Sequence, residues 1–137
     1  IQANVLALDV FIADIFQKGE IQGQFKVKYE SLMMHGHCHQ KSSFGTRALH
    51  YILDQADGLQ YHEPDTGCCG MAGSFGYEKE HYDISGKIAD LSLIPEINKL
   101  TPDTAIVANG FSCRHQISHF TDRKALHWVE CVEFERK

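Results

Sequence analysis

Ala105-Ile106-Val107-Ala108-Asn109-Gly110-Phe111-Ser112-Cys113-Arg114-His115-Gln116 is the stretch that decides the fold. Its first four residues are short and wholly apolar, as expected of a strand buried on both faces in the middle of a parallel sheet. A glycine turn follows, then a cysteine, and residues 114–120 read as a helix. Upstream the same order recurs. Phe25, Val27 and Tyr29 alternate with Lys26 and Lys28, and Leu32-Met33-Met34 leads into His35, so residues 25–35 read as one extended segment, unbroken or with a break within it, ending at Cys38. A helix from Ser42 or Ser43 as N-cap to about Ala56 comes next, with Phe44, Ala48, Leu49, Ile52 and Leu53 inward and Gly58 as its stop. A short strand over 59–62 leads to Cys68-Cys69. Residues 78–99 read as helical, with Ile84, Ile88 and Leu91 at the core and an interruption near Pro95. Residues 125–129 read as a last strand. Ahead of all this, Val5, Leu8, Ile12 and Ile15 mark a helix over 3–17, widened by Phe11 and Phe16 and ended by Gly19 and Gly23.

Strands alternating with helices predict an α/β fold: a parallel, Rossmann-like sheet with helices on both faces. The division expected is an N-terminal helix and connector over 1–24 and a cysteine-rich domain over 25–137. In open α/β sheets ligands bind at the C-terminal ends of the strands. Cys38, the Cys68-Cys69 pair and Cys113 each follow a different strand, so the topology predicts that they converge there.

Composition narrows the chemistry. With 137 residues and 43% hydrophobic content the chain can bury one core without disulfides. Five cysteines, two of them adjacent, make a poor disulfide framework; beside nine histidines they read as a metal or redox site in a reducing compartment. The net charge of -5 and the lack of a basic stripe argue against nucleic-acid binding. The most apolar stretch, residues 5–16, contains Asp9 and Asp14 and is too short to span a bilayer. It also lacks the basic start and cleavage site of a signal peptide. The chain opens on Ile1, which suggests an excised piece of a longer protein.

Thiolates are soft, charged donors suited to zinc, iron and iron–sulfur clusters. Glycines at 67, 70, 73 and 76 suggest a backbone bent tightly around Cys68 and Cys69. The spacing lacks the two Cys-x-x-Cys knuckles of a zinc finger. Nor does the loop end in the Gly-Lys-Ser or Gly-Lys-Thr of a phosphate-binding P-loop. His35, His37 and His39 alternate; His37 and His39 flank Cys38 and are the candidates for a further ligand. Lys41, Arg114 and His115 are candidates for charge compensation around the thiolates, as are helix starts near Ser42 and Arg114. Cys131, in a glutamate-rich segment, reads as structural.

His37-Cys38-His39-Gln40-Lys41, the block Gly67 to Tyr77, and Ser112-Cys113-Arg114-His115-Gln116-Ile117 resemble the cysteine-rich CCG domain. That domain occurs in heterodisulfide reductase, in the iron–sulfur subunits of glycolate oxidase and anaerobic glycerol-3-phosphate dehydrogenase, and in lactate-utilisation proteins. The match over residues 31–130, with Glu78, His81-Tyr82-Asp83 and Ser85, is most similar to the C-terminal end of FAD-linked oxidases acting on D-2-hydroxy acids. The resemblance implies that Cys38, Cys68, Cys69 and Cys113 hold an iron–sulfur cluster, of the 4Fe-4S kind, or a zinc ion. It implies FAD and a ferredoxin-like segment on another part of the same protein or complex, and a separate electron acceptor. Where the family pattern ends in Cys-x-x-Cys, this chain has Gln116, which limits the site to four cysteines, or to three with a histidine.

The function expected is therefore an iron–sulfur electron-transfer module of an FAD-linked dehydrogenase, not catalytic alone. It would be cytoplasmic, or peripheral at the inner face of the membrane. The alternatives are a structural zinc domain used for docking and a thiol–disulfide enzyme using Cys68 with Cys69 or Cys113.

Overall fold

A computed structural model describes residues 5–136. The elements in chain order are α1 (Leu8–Gln17), β1 (Gly23–Val27), β2 (Ser31–His35), α2 (Cys38–Ser43), α3 (Arg47–Asp54), β3 (Gln60–His62), α4 (Tyr82–Asp90), α5 (Leu93–Asn98), β4 (Ala105–Ala108), α6 (Phe111–Phe120), β5 (Ala125–Leu126), α7 (Trp128–Cys131) and β6 (Val132–Arg136). Four strands form an all-parallel sheet in the order β3-β2-β4-β5. Its centre is the β2–β4 pair, in register from Leu32 opposite Ala105 to His35 opposite Ala108. The apolar run 105–108 is thus a central strand, as its composition required.

Side chains of a strand alternate between faces, and the two cores follow that alternation. Leu32, Met34 and Val107 pack on one face with Ala13 of α1, with Leu49, Ile52 and Leu53 of α3, and with Trp128 and Cys131 of α7. Met33, Ile106 and Ala108 pack on the other with Leu93 and Ile97 of α5, Ile117 of α6, and with Cys69, Met71 and Cys113. Helices cover both faces, and two of the cysteines belong to the second core.

Several expectations need correction. The extended segment 25–35 does contain a break, and the break separates two sheets: β1 lies outside the parallel sheet and pairs antiparallel with β6, Gly23 opposite Arg136 to Val27 opposite Val132. Residues 42–56 are not one helix. Cys38 opens α2, the Ser42 hydroxyl donates back to the His39 carbonyl, and Gly45 at φ 77 separates α2 from α3. Phe44 is exposed at that break. The helical stretch 78–99 breaks at Leu91–Ser92 rather than Pro95, which sits in the first turn of α5, where the ring costs no helical hydrogen bond. The buried face of α4 is Ser85, Gly86 and Ala89; Ile84 and Leu91 are exposed. A Cβ at Gly86 would stand 2.7 Å from the Phe120 ring, so small residues let α4 approach α6 where larger ones would not fit. Helix α6 begins at Phe111, ahead of Arg114, and residues 128–131 are helical. Helix α1 begins at Leu8 and turns Asp9 and Ala13 inward, leaving Val5, Leu8 and Phe11 exposed. Ile1 and residues 3–4 of the expected helix lie outside the described residues.

Candidate metal centre

His35 ends β2 and shares the strand face of Met33, the side of the second core. Its side chain is 1% exposed. Two residues on, His37 takes extended backbone angles as N-cap and Cys38 opens α2. On the neighbouring strand the chain leaves β4 at Ala108, turns at Gly110 and enters α6, placing Cys113 in the first helical turn. Gly110 is required by closeness: a Cβ there would lie 2.6 Å from His37 Cδ2 and 2.9 Å from Cys113 Sγ. The His37 ring and the Cys113 sulfur therefore flank one bare Cα.

The third segment is the loop after β3. Gly70 has φ 92, a left-handed conformation that disfavours other residues. A Cβ there would strike the Ser85 carbonyl and come within 3.2 Å of Gln116 Nε2. With this turn made, the Gly70 N–H donates to Cys68 Sγ at 3.3 Å and the Met71 N–H is directed at Cys69. The loop thereby delivers Cys69 to the second core, beside Cys113.

The result is a buried group. One ligand atom each from His35, Cys69 and Cys113 lies within 4.8 Å of the others. The Cys69–Cys113 pair shares a proton. Cys69 is the thiolate, its pKa pulled down to about 4 chiefly by the hydrogen bond from Cys113, with His35 and the Met71 N–H adding to it against burial. Cys113, as donor to Cys69 and buried, is pushed far up. Cys38 is exposed and Cys68 half-buried, and their thiols are neighbours. Desolvation raises the Cys68 thiol, opposed by the Gly70 N–H. Soft donors arriving from three segments, one already ionised, are suited to a thiophilic metal or an iron–sulfur cluster.

The remaining candidates are placed as follows. His37 is half-buried, its pKa lowered first by desolvation, and with His39 it lines a cavity shared with Asp9 and Asn109. Lys41 stands 3.8 Å from Glu63. Arg114 donates to the Ala108 and Asn109 carbonyls, both at 2.8 Å, bracing the β4–α6 turn. His115 Nδ1 pairs with the Tyr77 hydroxyl at 3.1 Å. Gln116 is buried, and its Nε2 donates to the Ser85 carbonyl (3.0 Å) and hydroxyl (2.8 Å), tying α6 to α4. Sequence reasoning did not select His35, nor Thr66, whose Oγ1 lies 2.6 Å from His35 Nδ1. The available signal was parity with Met33 at a strand end.

Fold and site together define a class: a parallel α/β domain carrying a buried cysteine–histidine group. The comparisons with known proteins are more particular. The chain is 33% identical over 104 residues to D-2-hydroxyglutarate dehydrogenase of Pseudomonas putida, covering 74% of this chain and 10% of that protein. It is 31% identical over 130 residues to the D-2-hydroxyglutarate dehydrogenase of Pantoea ananatis, covering 94% and 12%. It is 29% identical over 96 residues to a subunit of the anaerobic glycerol-3-phosphate dehydrogenase of Escherichia coli, covering 70% and 24%. The chain thus spans about 10–12% of the first two homologues. No protein-family model and no solved structure matches it. Among the described residues, no helix is long and apolar enough to cross a membrane.

Proposed function

We propose that this chain is an electron-transfer module of an FAD-linked dehydrogenase acting on a D-2-hydroxy acid, with Cys38, Cys68, Cys69 and Cys113 holding a 4Fe-4S cluster. The observation that carries the reading is the buried Cys69–Cys113 pair with His35, set beside the Cys38–Cys68 neighbours. Homology to D-2-hydroxyglutarate dehydrogenases and to a glycerol-3-phosphate dehydrogenase subunit supports it. A cluster bound there supplies single-electron transfer without bonding to substrate.

The chain's own residues hold and shield that group. Cys69 and Cys113 come from the second core and close its inner side. The Gly70 and Met71 N–H groups donate to the sulfurs of Cys68 and Cys69, an arrangement that tunes cluster potential. Exposed Cys38 marks the side from which electrons enter or leave. FAD, the ferredoxin-like segment and the electron acceptor belong to other parts of the protein or complex, in the cytoplasm or at the inner membrane face.

Anaerobic reconstitution with ferrous iron and sulfide tests the reading. The expected result is a brown protein whose visible band bleaches on reduction and returns on reoxidation. Stoichiometric zinc uptake with no cluster after the same treatment would overturn electron transfer in favour of a structural zinc domain.

A further inference from the structure

His35 is a nearly fully buried histidine with one nitrogen engaged and one free. Nδ1 faces Thr66 Oγ1 at 2.6 Å. Nε2 is buried, makes no well-aligned hydrogen bond, and is the nitrogen on the side of Cys69, whose pKa the ring helps to lower. A buried polar atom left unpaired is unusual in a folded protein and calls for a reason. The free nitrogen belongs to the group in which one ligand atom each of His35, Cys69 and Cys113 lies within 4.8 Å.

Thr66 supplies the orientation. It is itself fully buried, and its carbonyl accepts the Ser92 hydroxyl at 2.5 Å, which pins the loop to the start of α5. An imidazole that donates through Nδ1 to an oxygen keeps its Nε2 lone pair free, the arrangement found behind metal-bound histidines. The register of β2 then leaves the ring no other direction: Met33 and His35 share one strand face, and that face carries Cys69 and Cys113. The position that a further thiolate would take in the family pattern is instead Gln116, whose amide is committed to Ser85.

We infer that His35 is a ligand, binding through Nε2 to the centre that Cys69 and Cys113 help to hold and taking the place of one of the four thiolates, with Thr66 as its positioning residue. The inference rests on reading the cysteines as a metal centre. It changes the ligand set from four thiolates to three with one neutral imidazole, which makes the bound centre less negative by one charge than its all-thiolate counterpart.

The test uses the whole chain with nitrogen-15-labelled histidine, reconstituted anaerobically with ferrous iron and sulfide and then reduced. Pulsed EPR is expected to show a directly bonded nitrogen whose coupling changes with the isotope. The coupling is lost in His35→Cys, where sulfur replaces nitrogen, and retained when His37→Gln and His39→Gln are combined. Thr66→Val is expected to lower iron affinity about 10–100-fold. A cluster showing only the weak coupling of a hydrogen-bonded imidazole overturns the inference and leaves the electron-transfer reading intact. So does a strong coupling that disappears with His37 and His39. If the chain takes up zinc alone, the electron-transfer reading fails and X-ray absorption decides His35 separately. A nitrogen at about 2.0–2.1 Å that is lost in His35→Cys upholds it, and an all-sulfur shell overturns it.

Discussion

Gly70 meets two constraints at once, and Gly67 only one. Both have positive φ, but a Cβ at Gly70 would strike the Ser85 carbonyl, whereas at Gly67 the nearest atom is the Ser92 hydroxyl at 3.8 Å. Gly67→Ala is therefore expected to cost about 1–2 kcal/mol, the left-handed penalty alone. Gly70→Ala adds a backbone collision beside Gln116 and is expected to cost more than about 3 kcal/mol in all. Chemical denaturation of the metal-free chain measures both. Equal losses would show that the loop adjusts around Gly70 and does not depend on that turn to seat Cys69.

At the scale of elements, α7 carries a pH-sensitive cap. His127 Nδ1 accepts from the Val129 N–H while the Glu130 carboxylate accepts from the His127 N–H. Accepting requires an unprotonated ring, and desolvation, then Arg114, lower the His127 pKa below its ordinary 6.5. The unfolded chain takes up this proton at higher pH than the folded one, so stability is full above 6.5 and falls as pH drops below it. In His127→Asn an amide oxygen takes over from Nδ1 as the cap acceptor, and no proton binds. The variant is expected to lose less melting temperature than the native chain between pH 7 and pH 5, and parallel losses would refute the assignment.

β4 is legible in the sequence because a short apolar run buried on both faces needs nothing from distant residues. The alternation at Phe25 and Val27 is equally real, but it cannot say that the partner is β6 at the far end of the chain rather than a neighbour in the parallel sheet. The inward face of α4 is hidden for a related reason. Hydrophobicity points to Ile84 and Leu91, while the close approach of Phe120 selects Gly86. In the site, three cysteine turns after three strands are readable. The His35–Thr66 contact depends on the path of a glycine loop and is not.

For the molecule as a whole, the centre joins segments that are otherwise far apart in the chain. Metal binding to such a site couples to folding, because the unfolded chain presents no preformed group. The loaded protein is expected to melt at higher temperature than the metal-free one, by about 2.7 kcal/mol of added stability when free metal is a hundred times its dissociation constant. Calorimetry before and after chelation checks this, and an unchanged transition would mean that the cysteines do not share a metal across strands.

The pairing of β1 with β6 has a consequence for how the protein is made. Residues 23–27 leave the ribosome well before their partner, residues 132–136. Until then Phe25 has its bridge to Ala56 and the packing of α1 and α3 beside it, and the strand presents an open edge. Contacts of such long separation form late. The nascent chain must therefore hold its cysteine turns in a domain one seam of which is still missing, and Lys26 in β1 with Lys28 just past its end are charges that discourage that waiting edge from pairing with the wrong neighbour.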